Sequence, residues 1–290
     1  MFKKVISASR RTDLVAFFPE WLAEALDREE ARVCGPSGRV YKADLRPGAV
    51  HSIVLWSKDF SNLTNNKNGL RDRLGKYDQV YLFFTITGLG GSFIERGAPD
   101  PAVALSQLPA LIEIAGLAKR VSLRFDPIVY WTERGGVYDE AEPAVKTNQD
   151  FFDTVAEQAG RQGIEDIRLS FTQWYGKALR RARKRGFSYV DPPQNEKLDA
   201  ARQLVEIAAK RGVRLFSCSQ KFLTEVPGIQ GSSCIDGRLL EKLHPRREAA
   251  SSAKDRSQRP ECGCTESIDI GSYTQSCPHG CLYCYANPKI

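Results

Sequence analysis

Val80-Tyr81-Leu82-Phe83-Phe84 is an apolar run without a polar break. A strand with one face in water alternates apolar and polar residues, so such a run belongs to a strand buried on both faces, as in a parallel sheet covered by helices. Comparable β-branched or aromatic runs lie at 5–8, 50–56, 121–125, 167–171 and 213–218, with a weaker seventh at 268–273 and a doubtful eighth at 38–43. Helical periodicity fills 19–28, 102–117, 148–162, 177–185 and 194–211 between them, and Pro19 suits a first helical turn. The alternation predicts an α/β fold, either a TIM-type or partial (β/α) barrel or an open doubly wound sheet. About six to eight similar units over this length favour the barrel.

The chain has 290 residues, 42% hydrophobic and 27% charged, which excludes disorder and supports one large core or two ordinary ones. Residues 1–227 read as the barrel. From 228 onward Gly, Ser, Pro and charge dominate, so 228–290 reads as a loop-rich cysteine segment at the barrel mouth, with 268–273 available as a last barrel strand. The formal net charge of +7 permits a polyanionic partner without demanding one. No apolar stretch approaches the ~18 residues of a spanning helix, and no signal-peptide core follows the first residues. The expectation is a cytoplasmic protein with no membrane association.

Six of the apolar runs end in polar clusters, and barrel enzymes build their sites on that rim. The candidates for binding substrate and cofactor polar groups are Arg10, Arg11, Asp13, Lys58, Thr85, Thr87, Arg124 and Asp126. For any single one, solvated turn chemistry is the competing reading, and Arg124 and Asp126 can simply pair with each other.

The strongest chemical signal is Cys277-Pro-His-Gly-Cys281-Leu-Tyr-Cys284. Three thiolates at this pitch can wrap one soft metal centre, iron–sulfur or zinc, and Pro278 and Gly280 allow the tight turn. Three ligands leave one position open, whereas structural zinc normally closes with four. The competing readings are structural zinc and unligated or disulfide-bonded thiols. A less specific pair, Cys262-Gly-Cys264, can combine with Cys218 and Cys234 in a second iron–sulfur or zinc site; the plainer reading makes Cys218 a buried strand-end residue and Cys234 a loop thiol. With three histidines in the chain, His-based acid–base catalysis has little support, and His279 is read as loop packing or a cluster neighbour.

The C-x3-C-x2-C spacing with Tyr283 before the last cysteine resembles the signature of the radical S-adenosylmethionine superfamily, whose fold is a β/α barrel. The resemblance implies Cys277, Cys281 and Cys284 as ligands of a [4Fe–4S] cluster, Tyr283 near the adenine of S-adenosylmethionine, and an external electron donor. It also implies cleavage of the sulfonium to a 5′-deoxyadenosyl radical, acting on a substrate that the residues do not specify. Superfamily members usually carry the triplet after their first strand. Its late position here implies a permuted order in which 268–273 feeds the cysteine loop and packs beside the amino-terminal strand. The Gly-Gly-Glu stretch that commonly holds the cofactor amino group is absent; Gly90-Gly91-Ser92 is a loose echo and Glu95 comes too late to match. The whole chain resembles a bacterial family known as a domain of unknown function. Its members open with a stretch like Ile6-Ser7-Ala8-Ser9-Arg10-Arg11-Thr12-Asp13 and close with one like Cys262-Gly-Cys264, Asp269-Ile270-Gly271-Ser272-Tyr273 and the triplet. Spore photoproduct lyase is a more distant likeness resting on the cysteine loop.

Lys177, Arg180, Arg181 and Lys184 share one face of a predicted helix, with Trp174 and Tyr175 just before it. That face can meet phosphates while the aromatics stack on bases, making nucleic acid a candidate partner, or it is an ordinary solvated helix. The alternative to a radical enzyme is therefore a non-catalytic nucleic-acid-binding or redox protein with a structural iron–sulfur or zinc centre.

Overall fold

Successive side chains on a strand point to opposite faces, and in this protein the two faces have different chemistry. The computed structural model describes residues 2–35, 37–132, 144–286 and 288–289. Its strands are β1 (Lys4–Ala8), β2 (Glu30–Cys34), β3 (Val40–Asp44), β4 (Val50–Ser57), β5 (Val80–Thr85), β6 (Val121–Ile128), β7 (Tyr130–Thr132), β8 (Val145–Thr147), β9 (Asp166–Phe171), β10 (Ser188–Val190), β11 (Arg214–Cys218), β12 (Ile229–Ser232) and β13 (Ile268–Asp269). Ile6, Ile53, Leu82, Phe84, Leu123, Ile167 and Leu215 point to one side, against Leu14, Leu22, Leu111, Val155 and Leu204 of the covering helices. Val54, Trp56, Tyr81 and Phe83 point to the other, where Ile235, Leu240 and Ala250 pack on them. The run 80–84 is thus buried on both faces, as its composition requires.

Eight strands form one parallel sheet in the order β12-β11-β9-β6-β5-β4-β1-β13. From β1 to β12 the order follows the chain without reversal, so the sheet is not doubly wound. The edge strands β12 and β13 share no ladder among the described residues, so the sheet is not hydrogen-bonded into a closed TIM barrel. The segment at 38–43 belongs to a separate hairpin, β2 with β3, and β7, β8 and β10 form a three-stranded sheet of their own. Among the described residues no helix is long and apolar enough to cross a membrane.

Three sequence expectations need correction. The helix read over 102–117 is two, Pro101–Leu105 and Leu108–Ala115. Pro109 has no N–H for the carbonyl four residues back, and Gln107 at the break turns its side chain to Phe60 N (2.8 Å) and Asp59 (3.0 Å). Residues 229–232, read as loop, are β12, and with β13 they place two stretches of the 228–290 segment at the two edges of the main sheet. Nor does all of 228–260 cover the mouth. Its helix, Gly237–Leu243, sits at the amino-terminal ends of the strands, where Leu240 and Leu243 carbonyls accept from Gln79 and Arg120 and the Glu248 carbonyl meets His51 Nε2 (2.7 Å). Burial of Ile235, Leu240 and Ala250 against the inner sheet face holds it there.

β13 contributes only two residues, paired in parallel with β1 at Ile6↔Ile268 and Ser7↔Asp269. The Asp269 carboxylate reinforces this short ladder. It accepts from Ser7 Oγ (2.9 Å), Ser9 Oγ (2.8 Å), Arg10 N (2.8 Å) and Gly271 N (3.0 Å), and pairs with the guanidinium of Arg10 (3.7 Å). Removing one partner of a buried charged network leaves the others unpaired, so Asp269→Ala is expected to lower unfolding stability by about 3–5 kcal/mol in urea denaturation. A loss below about 1 kcal/mol, the range of an exposed ion pair, would show that the carboxylate does not hold β13.

Candidate functional site

A cavity opens at the carboxyl ends of the parallel strands, the place where α/β sheets bind ligands. Strand ends supply Trp56, Ser57, Lys58, Thr85, Arg124, Asp126, Ser170 and Cys218 to its wall, and the tail supplies Cys262, Cys264, Cys277, Cys281, Tyr283 and Cys284. Seven of the eight cysteines line this one cavity; Cys34, at the end of β2, does not.

The triplet loop is docked by its own backbone and by one histidine. Leu282 N donates to Ile94 O (3.0 Å) and Gly97 N to His279 O (3.0 Å). His279 is buried, its Nε2 at 2.7 Å from Asp13 and its Nδ1 at 2.9 Å from Gly97 O, with Phe17 edge-on to the ring. Gly280 takes a left-handed φ of 64°, which glycine adopts freely. Gly97 has no room for a Cβ, which would meet the Pro278 carbonyl oxygen and lie 2.9 Å from His279 Cα.

Asp13 lines the cavity and is also a buried junction. Its carboxylate caps the helix Leu14–Phe17 at Ala16 N (2.9 Å) and accepts from Ser57 Oγ (2.8 Å) and Lys58 N (2.9 Å) as well as facing His279. Lys58 reaches Glu95 at 3.0 Å and lies beside the Tyr283 ring. Glu95 also takes the hydroxyls of Thr87 (2.6 Å) and Tyr283. Burial alone would depress the Lys58 ammonium, yet Glu95 raises it; burial alone would raise the Glu95 carboxyl, yet Lys58 holds it below its usual range. Thr87 therefore supports Glu95 from below, while Thr85 remains on the wall.

Arg124 and Asp126 do pair with each other; Asp126 also takes Ser170 Oγ, and Arg124 stacks on Trp56 at 5.1 Å. Arg10 reaches Ser267 Oγ (2.7 Å) and Asp255 (3.5 Å), and Arg11 reaches Tyr41 OH (2.9 Å) and Gly271 O (3.0 Å), so both brace β13 while lining the cavity. The basic helix Gly176–Lys184 turns Arg181 inward to the Cys284 carbonyl, leaving Lys177, Arg180 and Lys184 exposed. Trp174 packs on Phe187 and Tyr189.

The sequence singled out the triplet, the rim and the C-x-C pair, and the cavity gathers them. It passed over Glu95 as a misplaced motif residue, yet Glu95 is the acid that Lys58, Thr87 and Tyr283 share. It also passed over Asp269, whose signal was its place in the stretch leading to the triplet, and Arg168, whose charge faces the inner side of β9.

Burial lifts the triplet thiols, Cys277 to about 12 and Cys281 and Cys284 above the ordinary range, so an added cation is needed to make them thiolates. A hydrogen bond from the Cys264 thiol pulls Cys262 down to about 6. An ion with metal–sulfur bonds of about 2.3 Å holds its ligand sulfurs about 3.8 Å apart. Among the described residues only Asp78, His244 and Glu248 bring three ligand atoms within 4.8 Å of one another. Lys3 and Arg246 already meet the charge of that group at the far end of the sheet. The three triplet sulfurs do not all lie within 4.8 Å of one another.

No curated protein matches the chain. Among solved structures, a D-hydantoinase from a Bacillus sp. AR9 is 13% identical over 79% of this chain and 46% of that one, with a TM-score of 0.34. The chain spans less than half the length of that enzyme, and a likeness at this level bears on neither fold nor activity. A family model, described as Domain of unknown function (DUF1848), matches residues 5–286, and the chain belongs to that family.

Proposed function

We propose that this protein is a radical S-adenosylmethionine enzyme on a partial β/α barrel, with Cys277, Cys281 and Cys284 as the ligands of a [4Fe–4S] cluster. The observation that carries the reading is the meeting of the three triplet cysteines, one buried and two half-buried, on one cavity at the carboxyl ends of parallel strands. The parallel pairing of β13 with β1 supports a permuted barrel order, because it sets the cysteine loop directly after a strand of the same sheet. Free thiols on all eight cysteines suit a reducing cytoplasm.

When bound, the cluster and S-adenosylmethionine would supply one-electron cleavage of the sulfonium, with the electron from an external donor. The chain's own residues hold the geometry. His279 and Asp13 seat the loop, and the Lys58–Glu95 pair fixes the Tyr283 hydroxyl beside Cys281. Arg124, Asp126, Thr85 and Arg10 present polar groups to a substrate in the cavity. The non-catalytic nucleic-acid reading has weaker support, since Arg181 and Trp174 are engaged within the fold.

Anaerobic reconstitution followed by dithionite and S-adenosylmethionine is expected to release 5′-deoxyadenosine, and about four iron atoms per chain should disappear in the Cys277→Ser/Cys281→Ser/Cys284→Ser variant. Zinc at the triplet with no nucleoside released would overturn the proposal. A Cβ at residue 97 would push the cysteine loop from its seat, an overpacking effect on the order of 1–3 kcal/mol. Gly97→Ala should therefore lower the melting temperature and reduce iron retained on desalting, whereas unchanged iron content would separate the loop's seating from cluster binding.

A further inference from the structure

Four cysteines outside the triplet meet on another part of the cavity wall. Cys218 ends β11, Cys234 follows β12, and Cys262 and Cys264 arrive from the excursion that packs on the inner sheet face. Their sulfurs form a chain: Cys218 to Cys234 at 3.4 Å, Cys234 to Cys264, and Cys264 to Cys262. None is in a disulfide.

The charge around them is unbalanced. Arg168 is 3% exposed, donates to Ser122 and Ser232 hydroxyls, and lies over Phe83 and Phe216. Arg259 bonds Gln173 and the Tyr175 hydroxyl. Among the described residues neither has a carboxylate within ion-pair distance; Tyr81, Cys234, Asp166 and Cys218 act on the buried Arg168, while the exposed Arg259 lies near Tyr175, Tyr285, Cys218 and Cys262. Arg124 and Arg10, which also face these sulfurs, each keep one buried N–H without a partner, Nε and Nη1 respectively. A buried guanidinium without a counter-charge is costly.

We infer that Cys218, Cys234, Cys262 and Cys264 hold a second, four-thiolate metal centre facing the same cavity. Four thiolates around a zinc ion or a [4Fe–4S] core carry a net charge of about −2, which answers the buried Arg168. Neutral thiols or a Cys218–Cys234 disulfide leave that cation without a formal counter-charge at ion-pair distance. No three of the four sulfurs lie within 4.8 Å of one another, so a single zinc ion asks them to draw closer than a cluster does, and metal analysis distinguishes the two. The inference is independent of the chemistry at the triplet.

The test uses the full chain carrying Cys277→Ser, Cys281→Ser and Cys284→Ser, isolated anaerobically. About one zinc or about four iron atoms per chain should remain, with Cys218, Cys234, Cys262 and Cys264 protected from alkylation in peptide mapping until a chelator is added. In the otherwise wild-type chain, Cys262→Ser/Cys264→Ser should lose that same metal and retain the rest, which covers the case where the triple variant does not fold. Absence of retained metal in the folded triple variant, free alkylation of the four thiols, a Cys218–Cys234 disulfide in the anaerobic protein, or unchanged metal content in Cys262→Ser/Cys264→Ser would each overturn the inference.

Discussion

The carboxylate of Asp269 lies between the tips of β1 and β13 and receives donors from both sides of that junction. Two paired residues make a weak ladder, since backbone order is entropically expensive and a pair of strands so short returns little for it. The side-chain bonds to Ser7 and Ser9 and the guanidinium of Arg10 turn this edge into a fixed point. The triplet begins eight residues beyond it, so this buried acid fixes where the chain enters the cysteine loop that His279 and Asp13 then seat. Arg11 extends the brace through Tyr41, whose own hydroxyl donates to the Asp269 carbonyl at 2.5 Å. The β2–β3 hairpin thereby has a task of its own, backing the strand that carries the loop.

The second organising fact is the period of two along each strand. On β6, Leu123 and Phe125 join the helix-facing core while Arg124 and Asp126 reach the cavity; on β9, Ile167 and Leu169 do the first while Arg168 and Ser170 face inward. A one-residue slip would exchange the two faces and bury the charges among aliphatic side chains. The aliphatic face therefore fixes register, and register delivers the polar residues to the site without further instruction.

This explains what could be read in advance. Runs such as 80–84 and 167–171 declare parallel strands by composition, and the triplet declares metal chemistry by spacing. Strand ends give rim residues because the fold class puts its sites there. Four other features were harder. β12 is short and follows a glycine in a segment whose composition resembles loop, and Pro109 divides a helix whose apolar period runs straight through it. Asp13 and Glu95 look like surface acids in one dimension, yet are junctions whose partners lie 266 and 188 residues away along the chain. No local pattern encodes partners so distant; only the closure of β13 onto β1 brings them within reach.

Charge in the cavity follows from the same geometry. Arg124, Arg168 and Lys58 point inward because strand alternation and the strand ends leave them no other direction, and the low dielectric of a buried site magnifies each. Lys58 is answered by Glu95 and Arg124 by Asp126, each pair formed within reach of adjacent strands. Arg168 sits deeper on β9 with hydroxyls and aromatic faces for company; among the described residues no carboxylate lies within ion-pair distance, and Tyr81, Cys234 and Asp166 act on it. In the proposed second centre the four thiolates supply the negative charge that this third cation lacks. In that centre the buried arginine and the clustered cysteines meet one requirement, a metal held among sulfurs whose summed charge is negative.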